Sequence, residues 1–123
     1  MTEEKTARLT KRNLPPEVRA SVKASLAKKG EDPVVLDLRG ICSFTDFFII
    51  THGNSPRQNV ALYENIEEEL KKENVRPLSI EGKEHAEWIL MDYGSFIVHI
   101  FSKRARQYYS LEKLWGDARK LSY

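Results

Sequence analysis

The segment that most constrains the fold of this chain is 88–101, where two apolar stretches flank a single glycine. Two stretches of this composition around a short turn predict a β-hairpin, and we place its two-residue turn at Tyr93-Gly94. The pairing that follows sets Trp88 opposite His99. Because side chains alternate between the two faces of a strand, this hairpin has two faces of different composition.

The two faces of the hairpin predict different surroundings. One face is uniformly apolar and belongs in a core; it carries Ile89, Met91, Phe96, Val98 and Ile100. The other face mixes apolar and polar side chains; it carries Trp88, Leu90, Asp92, Ser95, Ile97 and His99. A face turned to water rarely has a tryptophan and two aliphatic side chains at its centre, and a core face rarely holds an aspartate and a histidine. The second face therefore predicts a surface that meets another protein.

Length and composition limit the class of protein. The chain has 123 residues, of which 41% are hydrophobic and 31% charged, which suits one globular domain with one core. No apolar run is long enough to span a bilayer and no signal-peptide core is present, so we expect a cytoplasmic protein without membrane contact. The single cysteine, Cys42, excludes an internal disulfide and a cysteine-based metal site. The net charge of +2 does not by itself indicate a nucleic-acid binder.

Composition also divides the chain. Residues 1–13 are polar and mildly basic without apolar periodicity, which predicts a flexible tail that could make a minor contact with RNA. We assign 14–117 to one α/β domain and 118–123 to a C-terminal tail. Helical spacing and cap residues predict helices after Pro15 and Ser55 and two short helices after the hairpin. Strand patterns occur around 33–38, 47–51 and 78–82. The order predicts a mixed sheet of about five strands flanked by helices.

The best case for an enzyme is the Gly53-Asn54-Ser55 turn, which follows an apolar strand and precedes a helix. A strand, a glycine turn and a helix N-terminus form a natural phosphate site, and nucleotidyltransferases use a Gly-Ser pair in that place. Such enzymes also need two or three carboxylates that converge on metal ions. Asp37, Asp46 and Asp92 are dispersed, and no spacing forces them together. A glycine turn followed by a helix cap explains the same residues, and we favour that interpretation.

Six blocks of sequence, taken in order, resemble one known family. They are DFFII at 46–50, GNSPRQ at 53–58, EG at 81–82, WILMDYG at 88–94, VHIF at 98–101 and RQYYSLEKLW at 106–115. Together they resemble the Iojap family, the ribosomal silencing factors (RsfS), over roughly residues 36–115. The resemblance implies a fold similar to that of nucleotidyltransferases, without known catalytic activity.

The resemblance also implies a partner and a site. Members of the family bind the large ribosomal subunit through its ribosomal protein fourteen, counted in the large-subunit series. There they block the small subunit from joining and repress translation when nutrients are scarce. The contact surface of the family includes the tryptophan of a W-x-hydrophobic-x-D-x-G motif and its neighbours. That motif corresponds here to Trp88, Leu90, Asp92 and Tyr93, with Tyr93 at the rim. The partner-binding residues predicted for this chain are Trp88, Leu90, Asp92, Tyr93, Ile97 and His99.

We therefore predict a ribosome-binding repressor with no enzymatic activity and no cofactor or metal. Two alternatives stay open at this point. One is a nucleotide-binding or nucleotidyl-transferring enzyme that uses the Gly53-Asn54-Ser55 turn. The other is a chaperone of large-subunit assembly that uses the same docking surface. The sequence also leaves open whether the protein is a monomer or a homodimer.

Overall fold

Local side-chain chemistry sets the start of the longest helix. The Ser55 hydroxyl accepts a hydrogen bond from the backbone N–H of Gln58 at 3.0 Å, and Pro56 occupies the first helical position. The Gln58 side chain in turn accepts from the backbone N–H of Asn54 at 2.7 Å. The first bond satisfies an amide donor that a helix start leaves without an intrahelical partner, and the second holds the residue that precedes the cap. The helix start that the sequence predicts at Ser55 is confirmed.

The structure is a computed structural model and describes residues 9–123. In chain order, a short 3-10 helix (Lys11–Asn13) is followed by α1 (Pro16–Ala27), β1 (Glu31–Asp37), β2 (Phe47–Gly53), α2 (Pro56–Lys72), β3 (Ser79–Glu81), β4 (Trp88–Asp92), β5 (Phe96–Ser102), α3 (Lys103–Tyr109), α4 (Leu111–Leu114) and β6 (Arg119–Ser122). The flexible tail predicted for residues 1–13 lies mostly outside the described residues. Its described part contains the 3-10 helix, which Thr10 caps.

The strands form one mixed sheet in the order β3-β4-β5-β2-β1-β6. Strand β2 pairs with β5 in parallel, and the other neighbours pair antiparallel. The predicted α/β domain with a mixed sheet is confirmed, with six strands instead of about five. The additional strand is β6, which pairs with β1 so that Leu36 lies opposite Lys120. The prediction of a C-terminal tail at 118–123 is therefore wrong: the open edge of β1 orders a segment whose own composition is not typical of a strand.

The hairpin forms one residue later along the chain than the sequence analysis places it. The turn residues are Gly94 and Ser95, because the backbone N–H of Tyr93 donates to the carbonyl of Phe96 at 3.0 Å. Gly94 has φ of +88°, a conformation that a two-residue turn requires and that glycine adopts without strain. Trp88 consequently lies opposite Phe101. The change moves each partner by two residues, so every side chain keeps its predicted face.

Helices cover the two faces of the sheet unequally. The face that carries Ile89, Met91, Val98 and Ile100 packs against both long helices and forms the larger core. We call it the core face. On the opposite side, strand residues that include Phe48, Ile50 and Phe101 pack against the short helices through Ala105, Leu111 and Trp115. None of the helices in residues 9–123 is both long and apolar enough to cross a membrane.

Candidate functional site

The face opposite the core face carries the hairpin residues that the sequence analysis singles out. We call the set Trp88, Leu90, Asp92, Ile97, His99 and Phe101 the mixed face. Strand alternation places all six on one side of β4 and β5. Five of them were predicted for this face; Phe101 was not among the predicted residues, and Ser95, which was, lies in the turn instead. Trp88, Leu90 and Asp92 are half-buried, whereas Ile97 and His99 are buried. Only the β4 residues of the mixed face are therefore directly accessible. The two β5 residues of the predicted site, Ile97 and His99, are buried beside them.

A hydrogen bond joins the two residues that set this face apart. The indole Nε1–H of Trp88 donates to Nδ1 of His99 at 3.0 Å. Since Nδ1 is the acceptor, the imidazole proton is on Nε2. Burial lowers the pKa of His99 to about 3, so the ring is neutral near pH 7 and offers this acceptor there. The bond fixes the orientation of the indole and satisfies Nε1–H, its only polar group.

Aromatic rings surround Trp88 on three sides. Its ring centroid lies 5.0 Å from that of Phe101, 5.9 Å from that of His99 and 4.6 Å from that of Tyr109 on α3. Tilted pairs at these separations are favourable aromatic contacts. Neighbouring rings therefore fix the position of the Trp88 indole, which remains partly exposed at the surface. Tyr109 is not among the residues predicted from the sequence, although adjacent tyrosines in a polar helix are a usable signal of a surface role.

Exposed apolar side chains continue this surface beyond the hairpin. Phe44 is 62% exposed, and its ring lies 6.5 Å from that of the buried Phe48 beside His99. Tyr109 is also exposed where it covers Trp88. Isolated apolar residues on a surface need no explanation, but Tyr109 adjoins the half-buried Trp88 and extends its apolar surface. Phe44 reaches this side of the sheet through its contact with Phe48. Phe44 lies in the connection between β1 and β2, far from the hairpin in sequence, so no local pattern indicates it.

Tyr93 does not lie where the sequence analysis places it. The side chain is 9% exposed and stacks on Phe96, with ring centroids 4.7 Å apart, within the core face. Burial raises the pKa of Tyr93, and its hydroxyl has no hydrogen-bond partner in the described residues. The prediction of a rim position is wrong because Tyr93 is the last paired residue of the hairpin. Its side chain therefore follows the alternation of Met91 and points away from Asp92.

Asp92 has a structural task at the end of the mixed face. Its Oδ1 accepts a hydrogen bond from the backbone N–H of Gly94 at 2.8 Å. An aspartate that bonds the backbone two residues later stabilises a turn. Asp92 therefore helps to define the tip of the hairpin, whatever partner meets it.

The Gly53-Asn54-Ser55 turn offers no open phosphate site. Asn54 Nδ2 donates to Glu31 Oε2 at 2.7 Å, which brings a carboxylate to the mouth of the helix. A Cβ atom on Gly53 would lie 2.3 Å from Asn59 Oδ1, so side chains fill the space beside the turn. Across residues 9–123, no group of three or more histidine, cysteine, aspartate or glutamate side chains could hold a metal ion. The contacts of this turn are those of a helix start.

Comparison with known proteins gives consistent matches over most of the chain. The sequence profile of the family described as "Ribosomal silencing factor during starvation" matches residues 11–123. The Haemophilus influenzae protein named ribosomal silencing factor RsfS is 47% identical over 88 residues, which are 72% of this chain and 86% of that protein. A mouse protein named "Mitochondrial assembly of ribosomal large subunit protein 1" is 31% identical over 91 residues, 72% of this chain and 40% of that protein.

A solved structure shares the fold. The crystal structure of a Chromobacterium violaceum protein superimposes with a TM-score of 0.79 at 34% sequence identity. The superposition covers 81% of this chain and 83% of that one. The same arrangement of strands and helices therefore occurs in a relative with a third of its residues in common.

Proposed function

The chain belongs to the family of ribosomal silencing factors, and we propose that it represses translation by binding the large ribosomal subunit and blocking the small subunit from joining. The family has a regulatory role in translation. The docking partner in this proposal is ribosomal protein fourteen of the large-subunit series, and the place of action is the cytoplasm. The mixed face is the docking surface.

One observation carries this proposal: a half-buried tryptophan held in place among aromatic and apolar side chains. Trp88 is bonded by His99 and flanked by Tyr109, and Leu90 lies beside it on β4. Aromatic residues in such positions dominate the energy of protein interfaces. Charged side chains are depleted at interface cores, and Asp92 is the only ionised member of the mixed face, at its end. The composition and geometry are those of an interface centre.

The held tryptophan also reduces the cost of binding. An immobilised side chain loses conformational entropy when it enters an interface, at roughly 0.5–1.5 kcal/mol for a side chain with many rotamers. The Nε1–H bond to His99 orders Trp88 before any partner arrives. We assign direct contact to Trp88, Leu90 and Asp92. We assign a supporting role to Ile97 and His99, which lie under them.

Repression in this proposal is steric and uses no catalysis. A domain of ~100 residues has a radius of gyration of about 13 Å, which is large against the close contact between two ribosomal subunits. A protein of that size on the joining surface is sufficient to keep the subunits apart. The degree of inhibition then follows mass action and requires no nucleotide hydrolysis.

Co-sedimentation with separated ribosomal subunits tests the proposal. We expect the protein to pellet with large subunits and not with small ones. We expect Trp88→Ala to lose this binding while it keeps its fold. Leu78→Ala is the matched control, because Leu78 is an exposed apolar residue outside the mixed face. A folded Trp88→Ala variant that pellets normally with large subunits would contradict the assignment of the mixed face.

A role in assembly of the large subunit is a second candidate, because the mouse relative is named for that process. The two roles make different predictions with mature subunits. A silencing factor shifts purified mature subunits away from joined ribosomes in proportion to the amount added. An assembly factor without silencing activity leaves that equilibrium unchanged, and its loss instead causes incomplete large subunits to accumulate.

A further inference from the structure

The charge of this chain is unevenly distributed. The segment 103–123, from α3 to β6, contains six of the 20 basic residues and only two of the 18 acidic residues. The remainder of the sequence has more acidic than basic residues. Helix α2, on the opposite side of the sheet, carries an acidic cluster that includes Glu64, Glu67 and Glu68. A weak net charge of +2 therefore conceals a basic surface at one end of the molecule.

Four of the six basic residues of this segment line a cleft of about 530 Å³ between α3, α4, β6 and the ends of β1 and β2. Lys103 lines it from α3, Lys113 from α4 and Lys120 from β6. Two carboxylates, those of Asp32 and Glu112, also line the cleft. The three lysines and Arg106 make four cations against two carboxylates.

Arg106 builds the cleft. Its Nε donates to Glu112 at 2.9 Å, and one terminal nitrogen contacts His52 Nδ1 at 2.9 Å. The guanidinium also donates to the backbone carbonyls of Glu31 and Asp32 at 3.2 and 2.8 Å. A guanidinium with this many partners acts as a scaffold that ties both short helices to the ends of two strands. Arg106 thereby fixes the positions from which the three lysines project.

Two of the three cleft lysines are exposed to solvent and form no ion pair with a described residue. Lys103 and Lys113 are exposed, and within residues 9–123 neither has a carboxylate within ion-pair distance. Lys120 lies 3.3 Å from Glu112, a carboxylate that Arg106 also neutralises. Two of the three lysines thus carry charge that no described residue compensates at close range. Such an arrangement attracts a ligand with repeated negative charges.

Exposed aromatic side chains lie on α3, the helix that also carries Lys103 and Arg106 of the cleft. Tyr108 on α3 is 80% exposed and stands edge-on to Tyr109, with ring centroids 5.0 Å apart. Tyr109 in turn covers Trp88, so α3 carries both residues that line the cleft and a residue that contacts the mixed face. Lysines beside exposed tyrosines are the combination that binds the phosphates and bases of a nucleic acid.

We propose that the cleft lined by Lys103, Lys113 and Lys120 binds the phosphate backbone of ribosomal RNA beside the protein that docks on the mixed face, with Tyr108 stacking on a base. This inference deepens the proposed function and rests on it for the ribosome as the partner. Only RNA supplies repeated phosphates along the length of such a cleft in that setting. The RNA contact is non-specific in sequence and adds to the docking energy of the mixed face.

Binding to purified, protein-free large-subunit ribosomal RNA tests the proposal at several salt concentrations. The test variant is the double substitution Lys103→Gln and Lys113→Gln. The matched control is Lys71→Gln with Lys83→Gln, which removes the same charge from exposed positions outside the cleft. We expect the variant with both cleft lysines replaced to bind RNA several-fold more weakly. Its plot of log binding constant against log salt concentration should have a slope shallower by about 1.4, for two lost phosphate contacts to a single strand. The control double should match the natural protein.

The outcomes separate this proposal from the function on which it rests. Retention of RNA binding in Trp88→Ala, with loss of binding to intact subunits, supports two distinct contacts. Equal affinity and equal salt slope in the two lysine doubles would overturn the RNA assignment, even if Trp88→Ala behaves as expected. A cleft double that binds RNA normally but binds intact subunits weakly would overturn it too, in favour of an acidic protein segment. Tyr108→Ala should weaken RNA binding without a change in salt slope, because stacking involves no ion release.

Discussion

The core face and the mixed face belong to the same two strands, yet their burial follows different rules. The core face packs against α1 and α2, and its strand residues Ile89, Met91, Val98 and Ile100 are fully buried. The mixed face has only the short helices above it, so that Trp88 and Leu90 stay half-buried. Burial on the first face stabilises the fold. The partial exposure on the second leaves apolar area that a partner can bury.

The contrast shows how one hairpin can serve two purposes. Within residues 88–101, the only side-chain hydroxyl on its core face is that of Tyr93, whereas its mixed face holds a histidine and an aspartate that orient other groups. His99 Nδ1 and Asp92 Oδ1 make defined bonds to Trp88 and to the turn, whereas the buried Nε2 of His99 has no partner among the described residues. Substitutions on the two faces should therefore separate effects on stability from effects on binding.

The largest effect on stability is expected from a truncation on the core side. Ile66 of α2 is 0% exposed, and Ile66→Ala should lower the free energy of unfolding by about 2–5 kcal/mol, since it removes buried methylene groups and leaves a cavity. Chemical denaturation measures this loss, and exposed Leu114→Ala is the control. Below its melting transition, Ile66→Ala should bind large subunits normally. A binding defect in the folded variant would contradict the prediction that the core side determines stability and the mixed face determines binding.

The largest effect on binding is expected at Trp88. Trp88→Ala should weaken affinity for the large subunit by about 2 kcal/mol or more, as truncation of a central aromatic residue commonly does. Titration of labelled protein with large subunits gives the affinity, and circular dichroism checks the fold. Trp88→Phe keeps an aromatic ring but loses the bond to His99. Its affinity should therefore lie between those of the natural protein and Trp88→Ala. An unchanged affinity in folded Trp88→Ala would remove the basis for treating the faces differently.

His99 should make stability depend on pH. Its pKa is lowered to about 3 by burial, below the value of about 6.5 expected in the unfolded chain. The unfolded state therefore binds a proton first as pH falls, and the histidine's contribution to stability is present above pH ~6.5 and lost progressively toward pH ~3. Denaturation curves of the natural protein and of His99→Gln, compared across this range, measure the difference. If the two proteins lose stability in parallel, His99 does not titrate as its burial implies.

A smaller effect is expected at the helix start of α2. Ser55→Ala removes the cap for the Gln58 N–H and should cost roughly 1 kcal/mol of stability. Ribosome binding should remain nearly intact, because the turn lies outside the mixed face. Nucleotide turnover that is present in the natural protein and absent from Ser55→Ala would instead support an enzyme.

The smallest effect is expected at Tyr93. Tyr93→Phe removes a buried hydroxyl that has no partner among the described residues, so stability should stay within about 1 kcal/mol of the natural value or increase slightly. Binding to large subunits should not change, because the side chain belongs to the core face. A clear loss of affinity would show that Tyr93 contacts the partner, as a rim position requires.

The sequence alone determined what depends on neighbouring residues. Alternation along β4 and β5 assigned the strand residues 88–92 and 96–100 to the correct faces, because the period of a strand is fixed by its geometry. The cap at Ser55 was equally local. Even a turn placed one residue too early did not disturb the faces, since the resulting shift of partners was even.

Only the tertiary structure decided what depends on contacts between distant segments. It placed Tyr93 in the core, it ordered β6 against the edge of β1, and it set Tyr109 on Trp88. It also assembled three lysines from separate elements into one cleft around Arg106. No local period encodes these contacts, because each depends on which surfaces the folded sheet leaves uncovered. The chemistry of the mixed face was therefore readable in the sequence, whereas its extent was set by packing.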